Sequence, residues 1–145
     1  MYLPSSGHVV VIHCGTNNVD ANVYTPHDIA HGVISCGVRL REKLPHLKVL
    51  VAGILPMDLN ISKRRIKIQQ TNENLRKLCC DENITFIEQA KYWSKDSGKL
   101  NQRLFRKDDL HPNKQGCNMF AKSLASDQFQ KFVTSAKSAK SDFYV

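Results

Sequence analysis

A chain of 145 residues with 41% hydrophobic composition holds enough apolar material for one globular core and too little for two ordinary ones. Lysine and arginine number 21 against 13 aspartates and glutamates, a formal charge of +8 that permits contact with phosphate-rich partners without requiring it. No apolar run has the length of a bilayer-spanning helix, and the opening MYLPSSGH lacks a basic segment followed by an apolar one. The expectation is a soluble cytoplasmic or nuclear protein.

The first element is a strand, Val9 to Cys14, whose run of β-branched residues leads straight into Gly15-Thr16-Asn17-Asn18. TPHDIAHGVISCGVRLREKLP then reads as a helix: Thr25 can cap, Pro26 fits the first turn, Asp28 lies near the N-terminus and Pro45 ends it. Its apolar face holds Ile29, Val33, Val38 and Leu40. LKVLVAGILP is apolar without interruption, the pattern of a strand covered on both faces in a parallel sheet.

After a loop, PMDLNIS, the stretch KRRIKIQQTNENLRKLCCDEN reads as a basic helix with Ile66, Ile68, Leu75, Leu78 and Cys79 along one side. Its opening cluster, Lys63, Arg64, Arg65 and Lys67, is either a solvated face or a phosphate contact. ITFIEQ supplies a third strand, and the irregular GKLNQRLFRKDDLHPNKQG precedes a last helix from about Lys114, with Met119, Phe120, Leu124 and Phe129 as its apolar set. One domain over 1–133 and a frayed Lys/Ser-rich tail over 134–145 follow. Strand and helix alternate, so the fold expected is a parallel three-layer α/β domain with right-handed crossovers.

The five cysteines are odd in number and show no C-x-x-C spacing, which reads as reduced, buried thiols. Neither G-x-G-x-x-G nor G-x-x-x-x-G-K-[ST] occurs, and the histidines are not spaced as metal ligands, so no cofactor is expected. His13 reads as an ordinary strand-end residue.

Ligands of open parallel sheets sit beyond the carboxyl ends of the strands, where GTNN falls. Gly15 allows a tight turn and Asn17 can aim an amide into the crevice, although the same four residues also suit an ordinary turn. Asp108 and His111, in DDLHPN, are three residues apart. In a helical turn that spacing lets the carboxylate reach Nδ1 and leaves Nε2 outward, the orientation of a general base, although such a pair is also common in solvated loops and helix caps.

Gly15-Thr16-Asn17-Asn18 followed by Asp108-Asp109-Leu110-His111 resembles the G-x-N-D/N and D-x-x-H blocks of the SGNH, or GDSL-type, hydrolases. Leu55-Pro56, Arg65 and Asn72 are similar in spacing to the platelet-activating-factor acetylhydrolase catalytic subunits within that superfamily. The resemblance, over about residues 8–125, implies a flavodoxin-like fold and carboxylic-ester hydrolysis of a small-molecule substrate without a metal. Asn17 and Gly15 would form the oxyanion hole, His111 would be the base and Asp108 would orient it.

Family members also carry two earlier strands and a G-D-S serine, which this sequence does not show; the expectation is the C-terminal portion of such an esterase, lacking its nucleophile, inactive alone, and self-associating through the Val9 to Cys14 edge. Ser5 and Ser6 would lie at the wrong end of a six-residue strand about 20 Å long. Cys14 lies at the right end but reads as core. The alternative is a non-catalytic module of the same fold that binds protein or nucleic acid, the latter weakly and without sequence preference.

Overall fold

The computed structural model describes residues 9–57, 62–95 and 99–125. Ser5, Ser6, Phe129, the tail 134–145 and the outer limits of the 1–133 domain lie outside those residues. The apolar run around residue 50 forms β2, Lys48–Ala52, and its side chains alternate between two cores. Val49 and Val51 pack with Ala30, Val33 and Ile34 of α2 (Pro26–Lys43) and Leu75 and Cys79 of α3 (Ser62–Asp81). Leu50 and Ala52 face the opposite way, toward Phe120 and Leu124 of α5 (Lys114–Leu124).

β2 pairs in parallel with β1 (Val9–Ile12) on one side and β3 (Thr85–Ile87) on the other, in the order β1-β2-β3. The α/β three-layer expectation holds. Among the described residues β1 is an edge strand. It ends at Ile12 rather than Cys14, because the chain turns at Gly15, whose φ of 105° caps a short helix, α1 (Thr16–Asp20). GTNN is therefore a helix start, not a plain turn.

α2 begins as its sequence implies: Thr25 Oγ1 accepts from the Asp28 N–H at 3.1 Å while the Asp28 carboxylate accepts from the Thr25 N–H at 2.8 Å. On α3 the buried face is Ile68, Thr71, Asn72, Leu75 and Cys79. Ile66 is 53% exposed, contrary to the expected apolar side, because two residues before Ile68 is about 200° around the helix. The cysteine expectation is also corrected. All five thiols are free, but only Cys79 is buried. Cys14 follows the end of its strand, and Cys36 and Cys80 each stand one position off a buried helix face.

Two buried amides tie the layers together. Asn72 accepts from the Ile54 N–H at 2.8 Å and donates to the Ile54 carbonyl at 2.9 Å, closing the backbone where the chain leaves β2. Gln89, at the start of α4 (Ala90–Trp93), accepts from Trp93 Nε1 at 3.2 Å and Ser123 Oγ at 2.9 Å. α4 is an element the sequence does not announce. Replacing Asn72 by leucine keeps the volume and strands both Ile54 groups, so chemical denaturation should show a loss of about 1–3 kcal/mol for each group. An unchanged midpoint would show that water replaces the amide.

Candidate active site

Gly15 is where the first half of the site is built. A Cβ there would lie 3.1 Å from both Ile29 Cγ2 and Ile54 Cδ1, and its left-handed φ disfavours other residues. The turn delivers α1, whose Val19 joins Ile29, Ile54, Met57 and Ile68 in a small core. Arg64 reaches Asp20 at 2.5 Å and Lys67 Nζ donates to the Ala21 carbonyl at 2.9 Å. Two members of the basic cluster thus hold α1 against α3. Asn17 is left exposed on α1, beyond the carboxyl end of β1.

The second half comes from the loop before α5. Asn113 caps that helix, accepting from the N–H groups of Gln115 and Gly116 at 2.8 and 3.1 Å, and its Nδ2 donates to the Arg103 and Phe105 carbonyls, both at 2.8 Å. Gly116 permits the approach: a Cβ there would sit 2.1 Å from the Leu104 carbonyl oxygen. Asp109 takes a positive φ of 50°, so the Asp108 to His111 segment is an Asx-type loop rather than the helical turn expected. Leu110 packs on the small core that contains Val19, which sets this loop beside α1.

Within the loop, Asp108 Oδ1 accepts from the N–H groups of Leu110 at 3.0 Å and His111 at 2.9 Å, and Oδ2 lies 2.8 Å from His111 Nδ1. The His111 backbone N–H, then its ring, then the Leu110 N–H hold the Asp108 carboxyl well below the usual carboxylate range. Asp109 bonds elsewhere, to Gln102 Nε2 at 3.4 Å. With the ionised carboxylate on Nδ1, the neutral imidazole carries its proton there and presents Nε2 as an acceptor.

Asn17 and His111, distant in sequence, line one cavity of about 370 Å³. Its apolar wall includes Leu55, Met57, Leu110 and Phe120. Gly15 does not line it; its place is in the turn. His13, just past the end of β1, also lines it, with its ring 4.9 Å from that of Phe120. Crowding lowers the His13 pKa from 6.5 against the opposing pull of the Ala52 and Gly53 backbone, so the ring is neutral at pH 7.

Thr16, at the variable position of the GTNN block, and Cys117, which no motif signalled, also line the cavity. Cys14 does not, and its thiol pKa is raised by desolvation and then by Cys36. Among the described residues no three His, Cys, Asp or Glu side chains converge as metal ligands, and no helix is long and apolar enough to cross a membrane.

A parallel α/β sheet with an Asp-oriented histidine and an asparagine at its carboxyl edge is an arrangement suited to acyl-group chemistry. Residues 3–118 match the GDSL-like lipase/acylhydrolase family, and the chain belongs to it. It is 34% identical over 65 residues to the platelet-activating factor acetylhydrolase IB subunit beta homolog of Drosophila melanogaster, 45% of this chain and 28% of that one. The fold is similar to a Bacteroides fragilis structure assigned as an acylhydrolase, at 25% identity and a TM-score of 0.67, covering 86% of this chain and 62% of that one. A GDSL-like lipase from Bacteroides thetaiotaomicron has the same fold at 23% identity and a TM-score of 0.66, covering 88% and 62%. The chain spans less than two thirds of each of these relatives.

Because the Asp108 pKa is depressed in the folded state, its contribution to stability is complete above the unfolded value near 3.8 and is lost as pH falls below it. Thermal unfolding of the protein and of Asp108→Ala should therefore differ most near neutrality and converge on acidification below pH 3.8. A gap independent of pH would show that the loop does not depend on the ionised carboxylate.

Proposed function

We propose that this chain supplies the acid–base and oxyanion side of a carboxylic-ester hydrolase site. The observation that carries the reading is the Asp108–His111 pair opening, together with Asn17, into one largely apolar cavity. In this reading His111 Nε2 takes the proton of an attacking hydroxyl and returns it to the leaving alkoxide, while Asp108 fixes the tautomer and steadies the imidazolium. The Asn17 amide donates to the oxyanion of the tetrahedral intermediate.

No serine lines the cavity among the described residues. The attacking hydroxyl is therefore assigned to a G-D-S-type segment outside them, and the 145-residue chain alone to an inactive state. The nucleic-acid alternative has less to stand on, since Arg64 and Lys67 are engaged in internal contacts. Among the described residues β1 has an unpaired backbone edge and no charged side chain, which supports self-association of the isolated chain.

Assay of p-nitrophenyl acetate should give no turnover with the 145-residue chain and clear turnover once a strand pair bearing G-D-S is joined to its N-terminus. In the joined protein His111→Ala should abolish activity, and Asn17→Ala should lower kcat by about 10² to 10³. Turnover by the unextended chain that disappears in Cys117→Ala would move the nucleophile to that thiol. Light scattering should show association rising with concentration for the unextended chain; a monomer throughout would remove the edge-strand proposal.

A further inference from the structure

A second cavity, of about 330 Å³, lies on the other side of the turn that follows β2. Among the described residues the two cavities share only Met57: Leu55 faces the first, Ile54 and Pro56 the second. The second has a floor of buried Ile54, Met57 and Ile68 and a rim of charged side chains from α3 and the segment after β3.

Most of that charge is already committed. Glu88 pairs with Arg76 and accepts from the N–H groups of Gln89 and Ala90 at 3.0 and 3.1 Å. Glu73 accepts from Gln69 Nε2 at 3.2 Å. Arg65 is the exception: among the described residues its guanidinium has no hydrogen-bond or ion-pair partner, yet it lines the cavity above the apolar floor. The hydrolase chemistry described above does not use it.

We propose that this cavity binds an organic carboxylate with a short hydrocarbon chain, the carboxylate on Arg65 and the chain on Ile54, Met57 and Ile68. A guanidinium fork matches a carboxylate in a bidentate way, and an apolar floor favours an aliphatic tail over a small hydrophilic anion. Such carboxylates are the class that ester cleavage releases, a link that rests on the function proposed above. Through Met57, occupancy of the second cavity bears directly on the wall of the first.

The test is calorimetric titration of the full chain with hexanoate, hexanol and hexylammonium. Hexanoate should bind saturably, and both other probes at least about tenfold more weakly, the effect of losing one charge-assisted pair. Arg65→Gln should weaken hexanoate by a similar factor and leave hexanol unchanged, Arg65→Lys should recover part of the loss, and His111→Ala should change nothing. Arg65 is exposed and has no partner among the described residues, so its replacement leaves the fold intact, which circular dichroism checks. Absence of saturable hexanoate binding, indifference to Arg65→Gln, or loss on His111→Ala would each overturn the proposal, and preference for hexylammonium would assign the rim to the glutamates. None of these readouts depends on ester turnover, so an inactive protein leaves the test intact.

Discussion

Burial of β2 on both faces is the constraint from which the rest of the structure follows. Residues 49–52 lie against α2 and α3 on one side and α5 on the other, and a strand covered in this way is joined to its neighbours by crossovers. All three strands then point their carboxyl ends to one edge. Gly15, the turn at 53–57 and the segment after Ile87 emerge there together. Both cavities form around the middle of these exits, one on each side of the turn after β2.

That turn has to keep its backbone paired while exposing side chains to two cavities. Gly53 N–H donates to the Ile87 carbonyl at 3.0 Å, and Asn72 satisfies both groups of Ile54. With the Gly53 N–H and both Ile54 groups paired from β3 and α3, Leu55 and Met57 serve as wall. The asparagine that the resemblance marked in α3 thus has a structural role, one step removed from any reacting atom.

What the sequence made legible was chemistry contained in short spans. The alternation of strands and helices, the Thr25 and Asp28 cap and the Asp108 to His111 spacing each depend on residues a few positions apart. Asp108 supports its own loop and orients His111 with the same carboxylate, so the motif and its geometry are nearly one statement. His13 and Cys117 were not legible, because their place in the cavity depends on how α5 seats against β1, a contact between the two ends of the described chain. Ile66 and the four exposed cysteines misled for a related reason: apolar type says a residue can be buried, whereas helix phase and strand length decide whether it is.

The two histidines of the cavity show how environment divides labour between like groups. His111 has the Asp108 carboxylate 2.8 Å from Nδ1, which fixes the ring's orientation and leaves Nε2 facing the cavity. His13 has no carboxylate partner among the described residues, and desolvation lowers its pKa, so its ring stays neutral at pH 7. Among the described residues no lysine or arginine lines the same cavity. In the proposed reaction, negative charge developing on an acyl oxygen would be met by neutral dipoles, Asn17 first among them, and an imidazolium would arise only with proton transfer. In that proposed reaction the arrangement would favour a charge-separated transition state over the resting ester, the differential binding that catalysis requires.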